Sequence, residues 1–137
     1  MVLDSAAIAA LFFRDSQSEK VEAALAKYSN LHTLDLAFAE VCSVAWKRVK
    51  FFGEELETAS RALALAKDFV DSSCRVAQSR DLLQEALRLA AEQGTTAYDS
   101  LFLSLALKSK TKLLTTDEKL HKKAESSSKT RGLTLMP

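Results

Sequence analysis

Asp4, Glu40, Asp99 and Asp117 are the side chains whose type and setting could do chemistry in this sequence. Asp99 falls in the first turn of an apolar helical run, Thr-Thr-Ala-Tyr-Asp-Ser-Leu-Phe-Leu-Ser-Leu-Ala-Leu, from Thr95 to Leu107. Asp117 comes just past a short apolar strand, Lys112 to Thr115, and Asp4 directly follows Val2-Leu3. Glu40 shares a helix face with Ala37, Val44 and Lys47. The immediate neighbours of these acids are small or apolar: Leu3 and Ala6, Ala39 and Val41, Tyr98 and Leu101. Carboxylates that are close together and partly desolvated repel, and their pKa values rise unless a cation intervenes. A hard divalent ion with oxygen ligands removes that penalty, and Mg²⁺ or Mn²⁺ suits an oxygen-only set. Such an ion lowers the pKa of a bound water and stabilises charge on a phosphate and on a leaving 3′ oxygen. The chemistry expected of these residues is therefore hydrolysis of a phosphodiester.

Taken singly, each acid has a structural explanation. Asp99 stands three residues after Thr96, a capping-box spacing with Asp in place of Glu or Gln. Asp4 and Asp117 can cap the helices that follow them, and Glu40 can be a solvated helix residue. The set is more informative than its members, because three of the four lie at strand ends or helix starts, where side chains from distant segments converge. No serine–histidine or cysteine–histidine arrangement competes. His32 and His121 are isolated and read as surface residues, and Trp46 and Phe38 read as core residues rather than base-stacking platforms. Three basic clusters suit a phosphate-bearing substrate loosely: Lys47, Arg48 and Lys50; Lys108, Lys110 and Lys112; Lys119, Lys122 and Lys123.

The elements that must position the acids follow from periodicity. Val2-Leu3 is a very short strand and Ala6 to Phe13 a helix apolar nearly all round, broken at Arg14-Asp15-Ser16. Ser18 to Tyr28 is helical, with Val21, Ala24, Leu25 and Tyr28 on one face. Leu31 to Leu34 is a second strand, and Asp35 can cap a helix from Leu36 to Lys50. That helix has Phe38, Val41, Cys42, Ala45 and Val49 as its expected core stripe. Gly53 separates it from a helix over Glu54 to Phe69. Cys74 to Ala77 is a weak third strand, and Ser79 or Asp81 caps the next helix, which stops at Gly94. Helices over Thr96 to Lys108 and Asp117 to Glu125 flank the strand Lys112 to Thr115. Leu133 to Met136 is a last edge strand.

Strands alternating with helices predict an α/β fold, a three-layer α/β/α sandwich with a mostly parallel central sheet. Parallel sheets of this kind bind ligands beyond the carboxyl ends of their strands, where strand order reverses. If the strands before Asp4 and Asp117 are neighbours at that point, the two carboxylates face one crevice.

The bulk numbers agree with one soluble domain over residues 1–137. The chain has 137 residues, 47% hydrophobic and 27% charged, with a single Pro and three Gly. That size supports a core of its own, and the scarcity of Pro and Gly favours long elements with short loops. The formal net charge of +1 does not announce a nucleic-acid binder. Cys42 and Cys74 form neither a disulfide framework nor a zinc spacing; reduced core thiols are expected, as in a cytoplasmic protein. Met-Val-Leu-Asp lacks a basic region ahead of its apolar run, and Ala6 to Phe13 is too short to span a bilayer, so neither a signal peptide nor a membrane partner is expected.

The ordered set resembles the PIN-domain family, in particular the single-domain, VapC-like toxin ribonucleases of VapBC toxin–antitoxin pairs. The matching stretches are Val2-Leu3-Asp4-Ser5-Ala6, Leu36-Ala37-Phe38-Ala39-Glu40-Val41, Thr96 to Ala106, and Leu113-Leu114-Thr115-Thr116-Asp117-Glu118-Lys119-Leu120. The resemblance implies a Mg²⁺- or Mn²⁺-dependent ribonuclease site on Asp4, Glu40, Asp99 and Asp117, with Ser5 and Thr115 supporting it through hydroxyl or backbone. It also implies a single-stranded RNA substrate, a cognate antitoxin whose tail occupies the groove, and a homodimer. Where the family often has Asn three residues after the helix Glu, this chain has Ser43, and Glu118 is a helix-start acid that could be accessory. The competing expectations are a non-catalytic PIN-like protein-interaction module and a phospho-acceptor receiver domain. The receiver class needs an Asp at the end of the third strand, where this chain has Ala77-Gln78.

Overall fold

The chain in the computed structural model is described over residues 1–14 and 16–137. Asp15, part of the expected helix break, lies outside the described residues. The strands are β1 (Val2–Leu3), β2 (Leu31–Leu34), β3 (Cys74–Ala77), β4 (Leu113–Leu114) and β5 (Thr134–Leu135). The helices are α1 (Ser5–Phe12), α2 (Ser18–Leu25), α3 (Leu36–Phe52), α4 (Leu56–Ser73), α5 (Leu83–Gln93), α6 (Ala97–Lys108) and α7 (Glu118–Ser126). The strands form one sheet in the order β3-β2-β1-β4-β5, and every pairing is parallel. The chain builds outward from β1 to β2 and β3, then returns to β1's other side for β4 and β5. The reversal of strand order falls between β1 and β4, where Val2 pairs with Leu113 and Leu3 with Leu114.

Parallel strands covered on both faces must be apolar on both faces. Val2, Leu3, Leu113 and Leu114 are fully buried. Each buried Leu contributes about 1.5–3 kcal/mol relative to exposure. The brevity of β1 puts no edge at risk: it is the central strand, flanked by β2 and β4. The Met1 carbonyl accepts from His32 N–H at 2.9 Å, and the Met1 ammonium donates to the Asn30 carbonyl at 2.8 Å.

Helices α1, α3 and α4 pack together on one face, and α5 and α6 pack together on the other. In α1 the small residues Ala7, Ala9 and Ala10 are buried with Ile8. In α6 everything from Ser100 to Ala106 is buried. Its internal hydroxyls are satisfied, as buried polar groups must be: Ser104 Oγ donates to the Ser100 carbonyl at 2.7 Å, and Ser100 Oγ meets Thr95 Oγ1 at 2.6 Å. α5 ends at Gly94, whose φ of 66° closes the last turn with N–H to the Ala90 carbonyl. Among the described residues no helix is long and apolar enough to cross a membrane.

Four expectations are corrected. α3 buries Ala37, Val41 and Ala45, with Phe38 and Val49 half-buried and Cys42 exposed. Trp46 is 56% exposed, so it is no core residue. Neither thiol is a core thiol, since Cys42 is exposed and Cys74 half-buried. Neither Ser79 nor Asp81 caps α5. A 3-10 turn over Ser79–Leu82 precedes that helix, and the Ser79 N–H and hydroxyl both donate to Asp35 Oδ1. A helix start was diverted by a tertiary partner that local spacing does not show.

Candidate active site

The crevice at the carboxyl ends of β1 and β4 is an open cleft of about 360 Å³, lined by Asp4, Ser5, Glu40, Ser43, Val44, Lys47, Asp99, Phe102 and Asp117 among others. All four predicted acids line it. They come from four different segments, brought together because β1 and β4 are neighbours and α3 and α6 begin beside them.

Asp4 ends β1 and caps α1, its Oδ1 accepting from Ala7 N–H at 2.8 Å. It is 5% exposed. Burial pushes its pKa from 3.8 up to about 7, and the charges of Asp99 and Asp117 push the same way; hydrogen bonds from Thr115 and Ala7 oppose the rise. Asp99 stands in the first turn of α6, where its N–H donates to the Thr96 hydroxyl at 3.0 Å. Its pKa is also raised, first by burial and then by Asp117, against the pull of Thr96 and of the Lys123 cation. Asp117 caps α7: its Oδ1 accepts from Lys119 N–H at 2.8 Å and Leu120 N–H at 3.1 Å. The capping roles expected of these three acids are therefore real, and they aim the side chains into the cleft.

The predicted supporting residues sit where they orient acids. Ser5 Oγ donates to Glu40 Oε1 at 2.7 Å, tying α1 to α3. Thr115 is fully buried; its hydroxyl bonds the Asp4 carboxyl, and its Oγ1 accepts from Asp117 N–H at 3.0 Å. One threonine thus holds two of the acids.

The N-termini of α1, α6 and α7 all point at the cleft. Each carries about half a positive charge, which favours anions. Lys47 lines the wall, while Lys123 faces Asp99 and donates to the Gly94 carbonyl. Lys108, Lys110 and Lys112 are not part of the site. Lys108 ends α6, about 14 Å along the helix from Asp99, and Lys110 and Lys112 follow in the turn to β4. Glu118 is at the surface, where it pairs with Lys122 at 3.6 Å. His32 and His121 line no part of the cleft; His121 Nδ1 meets Thr134 Oγ1 at 2.7 Å. Sequence reasoning did not single out Phe102, although it lies one turn after Asp99 and so shares its helix face.

The donor set fits a hard divalent cation, because it consists of carboxylates, one of them buried and repelled by two others. Among the described residues, however, no three His, Cys, Asp or Glu side chains already stand close enough to enclose such an ion.

The PIN domain family matches residues 1–126. Ribonuclease VapC3 of Pyrobaculum aerophilum is 37% identical over 123 residues, covering 90% of this chain and 93% of that protein. The crystal structure of PAE2754 from Pyrobaculum aerophilum superposes with a TM-score of 0.71 at 28% identity, covering 97% of this chain and 81% of that one. With the family matched across nearly all of its length and the four acids gathered at the strand-order reversal, this chain belongs to the PIN-domain family.

Proposed function

We propose that this chain is a Mg²⁺- or Mn²⁺-dependent endoribonuclease cutting single-stranded RNA in the cytoplasm, the toxin of a toxin–antitoxin pair. The observation that carries the reading is the shared cleft of Asp4, Glu40, Asp99 and Asp117, in which a buried carboxyl is crowded by two like charges. Likeness to a protein named a ribonuclease supports RNA as the substrate. Likeness to the same VapC protein supports a cognate antitoxin, and a homodimer is part of the same proposal.

Asp4, Asp99 and Asp117 would hold the cation, with Glu40 reaching it directly or through water. When bound, the ion supplies a water of lowered pKa and a positive charge against the phosphate. Thr115 keeps Asp4 and Asp117 aimed inward, and Ser5 does the same for Glu40. The three helix N-termini and Lys47 offset the acids' repulsion of the phosphate.

The test is cleavage of a single-stranded RNA with Mg²⁺ or Mn²⁺ by the wild type and by Asp99→Asn. The variant should lose at least a hundredfold in rate, and equal rates would refute the assignment. The absence of a ready-made three-ligand cluster among the described residues favours one other reading, a non-catalytic interaction module. Calorimetric titration with Mn²⁺ separates the two, because the module would show no site dependent on Asp4 or Asp117.

A further inference from the structure

The acidic cleft does not end at Lys47. Val44 and Lys47 also line a second groove of about 270 Å³, whose other walls are Arg48 and Phe52. The two hollows meet along α3, so a chain lying in the first can continue into the second. Their chemistry differs. The cleft gathers carboxylates, whereas the four residues of the groove are two cations, one aliphatic and one aromatic. The Arg48 guanidinium lies over the ring of buried Phe13, 5.8 Å from its centroid, which holds the charge in place. Phe52 ends α3 and is 79% exposed. An aromatic ring left this open, beside two cations and without polar cover, has a face available for stacking.

Phosphates attract cations, and every base offers a π-face to an aromatic ring whatever its sequence. We infer that the Val44, Lys47, Arg48 and Phe52 groove carries the RNA strand away from the cleft, with Lys47 and Arg48 on its phosphates and Phe52 stacked on a base. This rests on the nuclease reading and adds to it a track that accepts a single strand. A duplex hides its base faces within the stack and cannot offer one to Phe52. The neighbouring Trp46 and Phe51 rings, 5.6 Å apart edge to face, extend the exposed aromatic surface beyond the groove.

The experiment is fluorescence anisotropy of a labelled single-stranded RNA oligonucleotide with the full chain, in EDTA so that metal-dependent cleavage is off. Its partner is the same strand without bases. Phe52→Ala should weaken binding of the intact strand by about tenfold, in the range of one lost base stack, and leave the abasic strand unaffected. Phe52→Trp should restore the affinity. Lys47→Gln and Arg48→Gln should weaken both strands and make binding less sensitive to salt.

Unchanged affinity of Phe52→Ala for the intact strand would overturn the inference. Equal weakening of both strands would also overturn it, since Phe52 would then act on fold or charge rather than on a base. Capture of a protein partner that depends on Phe52, with RNA affinity unchanged, would assign the groove to that partner instead. Metal-dependent cleavage by the same Phe52→Ala protein, measured in parallel, reports on the nuclease reading separately. Cleavage with unaltered RNA affinity sinks the groove alone, whereas absence of cleavage and of RNA binding in the wild type sinks both.

Discussion

Asp4 is held where an ionised carboxyl is least comfortable. Its ordinary pKa of 3.8 is lifted to about 7, chiefly by burial. The folded state therefore keeps a proton that the unfolded chain gives up. Stability contributed by the neutral form is complete below pH 3.8 and is lost as pH rises through about 7. Asp99, also raised, acts in the same direction. At about 1.4 kcal/mol per pH unit, the cation-free fold should weaken by about 3 kcal/mol between pH 5 and pH 8. Asp4→Asn keeps an oxygen for Ala7 N–H and removes the charge. In denaturant melts with EDTA it should be more stable than the wild type at pH 8, with a margin that shrinks towards pH 5. A margin independent of pH would show that the Asp4 charge is not what strains the fold. The acids were legible in the sequence because their spacing and apolar company were unusual. Lys123 was legible only as one of the basic cluster after Asp117; that it faces Asp99 was not, because that proximity depends on how α7 lies against the start of α6.

Short strands and their capped helices set the geometry, so the caps belong to the site as much as to the fold. Thr96 is the case to test. Its hydroxyl accepts from Asp99 N–H, and the Asp99 carboxyl bonds back to Thr96, a reciprocal pair that fixes both the first turn of α6 and the acid in it. Thr96→Ala should cost about 0.5–2 kcal/mol of stability, as lost N-caps do. RNA cleavage should fall further than that loss explains, because Asp99 is freed as well; Thr96→Ser should recover both. Denaturant melts and cleavage rates on the same samples decide the point. All five strands were readable from short apolar runs between polar breaks. The face of α3 was not. Its buried stripe is the small, closely spaced set Ala37, Val41 and Ala45, which lets the helix approach its neighbours. A reading that ranks positions by side-chain size sends Trp46 inside, whereas the helix turns its neighbour Ala45 inward and leaves Trp46 56% exposed.

No single element contains the cleft. Asp4 depends on β1, Glu40 on α3, Asp99 on α6 and Asp117 on the turn after β4. They meet because the sheet reverses its strand order between β1 and β4. An unfolded chain has no such meeting point, so a cation held by these acids binds the native state almost exclusively, and binding becomes stability. At a hundred times its dissociation constant, Mn²⁺ should stabilise the wild type by about 2.7 kcal/mol, a rise of several degrees in melting temperature for a chain of this size. The rise should be larger at pH 8 than at pH 5. At pH 5 the cation must displace the proton that Asp4 retains, and at pH 8 it finds the carboxylate already ionised. Asp4→Asn and Asp99→Asn should lose most of the rise, although Asp4→Asn starts from the higher stability at pH 8. That opposition is the signature of a site whose acids strain the empty fold and steady the loaded one. Differential scanning fluorimetry with Mn²⁺ titrated at both pH values reads it directly. A wild-type melting temperature unmoved by saturating Mn²⁺ at pH 8 would leave the crowded carboxylates without a cation to explain them.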